Sequence, residues 1–213
     1  MISTELKMPE RRFKFIRVAA DELLPEHATL CSHKLDVSAS TAELIISGIT
    51  NKQILLSKHQ QSGMDDEHIL RSFTFRDCIN CIIICDIPLS GLHLYNVIGS
   101  RLVVMGVKGS IHVNGCESLH IEGFCSQLRI SECRQLTLHV QTNSSTAIVD
   151  STGIAIGQPP DEGDDERLLP VLRAIGLASE SYIHSRKWMN VKDFNWLGDN
   201  SKNWHFITEN RSN

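Results

Sequence analysis

Ile111-His112-Val113-Asn114-Gly115-Cys116 is one copy of a phrase that recurs down the middle of the chain: two apolar residues two apart, then a third anchor three positions on. The other copies begin Phe73-Thr74-Phe75, Leu92-His93-Leu94, Leu128-Arg129-Ile130 and Ala147-Ile148-Val149. Their third anchors are Cys78, Val97, Cys116, Cys133 and Thr152, in steps of 19, 19, 17 and 19 residues. A near-constant period of this length is the mark of a solenoid, in which each repeat forms one coil and buries its apolar face against its neighbours.

Spacing of two is the period of a strand whose alternate side chains enter one core. A second short strand follows in each repeat, at Cys81/Ile83, Leu102/Val104, Leu119/Ile121, Leu136/Leu138 and Ile154/Ile156, so a coil reads as strand, corner, strand, return. An earlier coil is legible at Leu44, Ile46 and Ile49 with Ile54/Leu56, separated from the next by a polar insert over 57–68. The expected architecture is all-β: a right-handed parallel β-helix of about six coils over 41–158. Residues 1–40 are expected to form an N-terminal segment or cap. Residues 159–213 are expected to supply an acidic loop, a short helix and a Trp-rich tail packed on the β-helix.

The same alternation orients Arg129. Leu128 and Ile130 face inward, so Gln127 and Arg129 face out on one side of one strand, about 7 Å apart. Neighbouring coils lie about 4.8 Å away, which is expected to set His112 on one flank of Arg129 and Ile148 on the other. The expected column around Gln127 is small: Gly91, Ser110 and Thr146. No carboxylate is expected in the arginine's own column. By default an outward arginine on a strand is a solvated charge, and an outward glutamine is ordinary.

At these residues the chain resembles a known family. The phrase running from Phe124 through Gln127-Leu128-Arg129 to Cys133 is similar to the glutamine-x-arginine segment of the tubulin-binding cofactor C domain family, the β-helical domain of tubulin folding cofactor C and the retinitis pigmentosa 2 protein. A second match, Val191-Lys192-Asp193-Phe194-Asn195-Trp196-Leu197 with Ser201 to Trp204, resembles the terminal segment of cofactor C. Ala147-Ile148-Val149-Asp150 sits where the family carries a proline-led, acid-ended apolar phrase. The resemblance spans about residues 70 to 206 and implies a GTPase-activating role. In that role Arg129 acts in trans as an arginine finger, with Gln127 as its near partner. The implied partner is β-tubulin held by folding cofactors D and E, which brings GTP and Mg²⁺ with it. The chain itself is expected to need no cofactor and to be no hydrolase. Ser131 departs from the histidine that many members carry two residues after the arginine. About forty residues precede the first coil, too few for the N-terminal helical bundle of cofactor C, so a short form is expected. Two other readings stay open: activation of an Arf-like small GTPase, and a non-catalytic cytoskeletal scaffold like the β-helix of cyclase-associated proteins.

With 213 residues and 41% hydrophobic content, the chain suits a single solenoid domain. Its net charge of −4 argues against a nucleic-acid binder. No run approaches the roughly 18 apolar residues of a membrane span, and Met1-Ile2-Ser3 offers neither a signal peptide nor the second-position glycine for myristoylation. A soluble, cytoplasmic and cytoskeleton-associated protein is expected. Seven cysteines, with Cys78 and Cys81 in a C-x₂-C, raise zinc. No second such pair completes a tetrahedral set, and Cys78, Cys116 and Cys133 share one inward corner, which favours buried thiols and no metal site. Arg11 to Arg17 alternate like a strand or cap with solvated charges, or offer a basic patch. Pro159-Pro160 and the acidic run at 161–166 read as a solvated loop. A short helix over 167–177 is expected next, with Pro170 tolerated in its first turn. Trp188, Trp196 and Trp204 are expected to pin the tail over a sheet edge.

Overall fold

The computed structural model describes residues 43–56, 71–160, 168–196, 198 and 200–208. The N-terminal segment, the 57–68 insert and the 161–166 acidic run lie outside them. The chain winds through β1 (Glu43–Ser47), β2 (Gln53–Leu56), β3 (Arg71–Arg76), β4 (Ile82–Tyr95), β5 (Arg101–Asn114), β6 (His120–Ser131), β7 (Thr137–Thr142), β8 (Thr146–Val149) and β9 (Ile154–Ile156). Two short helices follow, α1 (Leu168–Ala174) and α2 (Glu180–Ile183), then a 3₁₀ turn (Lys187–Met189), β10 (Val191–Asp193) and β11 (Trp204–Phe206). Every strand pairing is parallel. Parallel stacking of successive rungs with no crossover helix is a β-solenoid, as the repeat period leads one to expect.

One face stacks β1, β3, the second halves of β4, β5 and β6, then β8 and β10. The adjoining face stacks β2, the first halves of β4, β5 and β6, then β7, β9 and β11. Between the faces each rung turns through two left-handed residues: Asp77 and Asn80, Asn96 and Gly99, Gly115 and Ser118, Glu132 and Gln135, Asp150 and Gly153. Asn, Asp and Gly reach that region at least cost, which is why they punctuate the apolar phrase. On the third side the long strands bend. Gly123 makes this possible in β6: its φ is +150° and a Cβ there would stand 2.0 Å from the Val104 carbonyl oxygen.

The interior corner explains the cysteines. The Val97 amide donates to Cys116 Sγ (3.4 Å), the Cys116 amide to Cys133 Sγ (3.4 Å) and the Cys133 amide to Ser151 Oγ (2.9 Å). Each side chain in turn donates to the carbonyl two residues before it: Cys116 to Asn114, Cys133 to Ser131, Ser151 to Val149. A small side chain that both accepts and donates thus satisfies a corner amide that has turned away from the ladder. Cys78, Cys81, Cys85, Cys116, Cys125 and Cys133 are free and buried. Burial pushes the Cys85 thiol up, and the Cys125 thiol up to about 12, so neither offers a thiolate.

Two sequence expectations are corrected. The solenoid has about four turns rather than about six. The uninterrupted part runs from β3 to β7; the flanking strands β1/β2, β8/β9 and β10/β11 add partial rungs, because the chain leaves the spiral into the helices after β9. The last repeat is also shifted by one residue. Ile130 pairs with Ile148, and Ile148 is fully buried while Val149 is 36% exposed. The inward set is therefore Thr146, Ile148 and Ser151, not Ala147, Val149 and Thr152. Thr146 and Ser151 are 2% exposed, so two polar residues hold positions that the earlier repeats fill with apolar ones or cysteine.

The third side is covered by a second cluster, in which Met105 and Phe124 of the solenoid meet Leu168, Val171, Leu172, Ile175, Leu177 and Tyr182. Gly106 lets α1 come this close, since a Cβ there would lie 2.6 Å from Ile175 Cδ1. Tyr182 is fixed by its hydroxyl, 2.9 Å from Cys125 O and 3.0 Å from Gln141 O. Trp188 and Trp204 pack against the main core, while Trp196 stays 38% exposed.

Candidate functional site

The three phrases that carry the family resemblance lie far apart in sequence, and the fold makes them consecutive strands. Arg129 of β6 pairs with Ala147 of β8, and Ala147 pairs with Lys192 of β10. The junction is locked at the corner, where the Asp150 amide donates to Asn195 Oδ1 and Asn195 Nδ2 donates back to Asp150 Oδ1, each at 2.6 Å. Asp193 closes the end of the solenoid. Its carboxylate accepts from Ser201 Oγ (2.5 Å), Asn203 Nδ2 (2.8 Å) and the Asn195 amide (3.0 Å). Burial alone would raise the Asp193 carboxyl, and these donors hold it below the ordinary value.

Arg129 faces outward and is exposed, as its place between buried Leu128 and Ile130 requires. Its Nη2 donates to Gln127 Oε1 at 3.1 Å, and Ser110 Oγ donates to the same oxygen at 3.3 Å. The tether is neutral and uses one of five guanidinium donors. Its flanks are His112 on β5 and Ala147 on β8, so the expected neighbour Ile148 is replaced by a smaller one. Thr146 likewise leaves the Gln127 column and turns into the core. His112 meets His93 edge to face at 5.1 Å. Burial, then His93, then the Arg129 charge push the His112 imidazole below its ordinary value, so it stands neutral beside the guanidinium near neutral pH.

Apolar surface continues from this point. The Phe194 amide donates to Ile148 O (2.9 Å), which places Phe194 beside Val149, itself the pair of Ser131. Val149 is 36% and Phe194 66% exposed. The sequence hid both: the shifted register turned Val149 inward on paper, and a phenylalanine reads as core unless its rung is known to be the last. Arg129 thus stands at the edge of an apolar step made by two rungs.

The other well-placed ionic group lies on the adjoining face and is already occupied. Glu122 Oε1 accepts from Arg101 Nη2 and pairs with His120 Nε2, each at 2.7 Å, and His120 stacks on His139 at 5.3 Å. Burial would raise the Glu122 carboxyl; the His120 and Arg101 contacts outweigh it and hold the value at about 2, from an ordinary 4.5. Because the folded value is depressed, the contribution is full above the ordinary carboxylate range and is lost as pH falls towards 2. The melting-temperature gap between the wild type and Glu122→Gln is therefore expected to be widest above pH 5 and to close between about pH 4.5 and 2. A gap constant through that window would show that the carboxylate contributes nothing by its charge. Among the described residues no group of three or more His, Cys, Asp or Glu side chains is placed to hold a metal ion. No helix of the described residues is long and apolar enough to cross a membrane.

The profile of the family described as "Tubulin binding cofactor C" matches residues 70–194, more than half of the chain. The chain belongs to that family. The match takes in all three consecutive strands of the site, from the Gln127-x-Arg129 phrase to Asp193-Phe194, so the cofactor C resemblance read from the sequence holds at the level of the family. No curated protein sequence matches the chain. Among solved structures, Tubulin Binding Cofactor C from Leishmania major is similar at 14% identity, over 78% of this chain and 89% of that chain, with a TM-score of 0.46.

Proposed function

We propose that this cofactor C family protein activates a GTPase in trans, with Arg129 as arginine finger and Gln127 as the residue that holds it. The partner is β-tubulin in its assembly with folding cofactors D and E. The GTP and Mg²⁺ belong to that partner, the chain is not itself a hydrolase, and its work is done in the cytoplasm. The observation that supports this most directly is the contrast between two arginines. Arg101 is neutralised by Glu122, whereas Arg129 is exposed, tethered by a neutral carbonyl, and bordered by a neutral imidazole and an alanine. A phosphoryl-transfer transition state spreads negative charge over oxygens, and a planar, permanently charged fork brought into a water-poor interface stabilises it.

Water must leave for such a finger to act, and the apolar step at Val149 and Phe194 supports that on this face. Phe194→Asp is expected to weaken binding to the tubulin assembly by about 10-fold or more, the scale of one lost buried aromatic contact. Its melting temperature should stay near the wild type, since the ring is 66% exposed. Binding at wild-type affinity would remove the apolar step from the interface.

The partner itself is tested by titrating the protein into two GTP-loaded preparations, tubulin with cofactors D and E and an Arf-like GTPase, under single-turnover conditions. Acceleration in the first alone supports the tubulin reading; acceleration in the second alone moves the finger to the other partner. Acceleration in neither leaves the β-helix as a scaffold.

A further inference from the structure

The face that carries Arg129 has an unusual charge content for an acidic chain. From β3 to β10 its outward positions are Ser72 and Arg76, with Thr74 between them buried; Gly91, His93 and Tyr95; Ser110, His112 and Asn114; Gln127, Arg129 and Ser131; Ala147 and Val149; and Lys192 with Phe194. None is Asp or Glu, although the whole chain has 25 acidic against 21 basic residues. Just outside these positions Glu43 of β1 pairs with Ser72, and Asp193 of β10 is taken up by Ser201 and Asn203. The other bordering carboxylates lie at the left-handed corner, at Asp77, Glu132 and Asp150. Two of these are engaged, Asp77 with Asn96 (2.6 Å) and Asp150 with Asn195 (2.6 Å).

Three permanent cations are spread along this surface. Arg76 stacks over the Tyr95 ring at 5.3 Å, Arg129 sits near the middle, and Lys192 is exposed at the far end. Ala147 is the only rung between Arg129 and Lys192, so their backbones stand about 10 Å apart with nothing large between them. From Arg76 to Lys192 the strip covers about 24 Å, comparable to the width of a standard interface of about 800 Å² per partner.

We infer that this carboxylate-free strip is an electrostatic docking surface, with Arg76 and Lys192 meeting acidic side chains on the partner protein around its nucleotide pocket while Arg129 enters it. The inference rests on the proposed function for the existence of a nucleotide-bearing partner. It adds a separate role for the two outer cations. Arg76 stands three rungs from Arg129, about 14 Å, and Lys192 two rungs, about 10 Å, on opposite sides of it, so both are assigned to encounter and register rather than to turnover. Rim charges change association rates and salt dependence far more than the chemical step.

The test is stopped-flow association of the full chain with GTP-loaded tubulin bearing cofactors D and E, at low and high salt, beside single-turnover hydrolysis at saturation. Lys192→Glu and Arg76→Glu are each expected to slow association about 10-fold at low salt, with the deficit shrinking at high salt, and to leave saturated hydrolysis unchanged. Lys192→Gln should give a smaller slowing of the same kind, and a melting curve for each variant separates loss of fold from loss of steering. Association of folded Lys192→Glu and Arg76→Glu at the wild-type rate and salt slope overturns the strip. A normal hydrolysis rate in Arg129→Ala overturns the finger instead and leaves the association result standing, so the two failures are distinct.

Discussion

Arg129→Ala is expected to lower the hydrolysis that this protein stimulates by about 10³-fold or more, while its melting curve overlays the wild type. The rate loss is the scale of an arginine finger supplied in trans, about 4 kcal/mol of transition-state stabilisation at the lower end. The fold should not notice. The side chain is exposed, its one hydrogen bond goes to Gln127 Oε1, and that oxygen keeps Ser110 Oγ as a donor after truncation. Surface changes of this sort move stability by less than about 0.5 kcal/mol. Arg129→Lys should rescue poorly, since an ammonium on a flexible stem cannot present two parallel donors. Affinity for the tubulin assembly should fall much less than turnover, because the interaction is made mainly in the transition state. Single-turnover GTP hydrolysis at saturating protein measures this directly. Wild-type hydrolysis by a folded Arg129→Ala protein would refute the finger and leave a binding scaffold as the reading.

The outward pose of Arg129 was legible because it depends on a local rule. An arginine between Leu128 and Ile130 in a period of two can point only one way, and no tertiary contact overrides that. The thiol corner was legible for a related reason: Cys78, Cys116 and Cys133 recur in phase with residues that must be inside. What the sequence concealed were rungs held by hydrogen bonds rather than by apolar burial. Thr146 and Ser151 occupy inward positions because Ser151 Oγ accepts the Cys133 amide and because the Thr146 amide is taken by Asn190 O (2.9 Å). A search for apolar anchors slides past them to Ala147 and Val149. The final rung is harder still. Val191-Lys192-Asp193 points a carboxylate along the inward column, tolerable only because the solenoid ends there and Ser201 and Asn203 reach it. Nothing in the local pattern marks that triplet as a strand. Its partner β8, sharing the Asp150–Asn195 pair, is what defines it.

Ile148→Asp is expected to abolish cooperative folding, whereas Val149→Asp, one residue on, is expected to leave a stable protein. Ile148 is fully buried and pairs with Ile130 on one side and Asp193 on the other. Removing an isoleucine from the core costs about 2 to 3 kcal/mol in burial alone. An unpaired carboxylate in its place adds several kcal/mol, and here it would face the Asp193 carboxylate one rung away. Together these approach the whole of an ordinary domain's stability of about 5 to 15 kcal/mol. Val149 is 36% exposed and stands on the outer surface beside Ser131 and Phe194, where a carboxylate keeps its water. Its replacement should cost no more than about 1 kcal/mol. It should instead be felt at the interface, next to the arginine. Urea unfolding of the pair decides the register. If Ile148→Asp folded and Val149→Asp did not, Ala147 and Val149 would have to be the inward residues. Arg129 would then be flanked by an isoleucine, and the open step that now leads from the arginine to Phe194 would be closed.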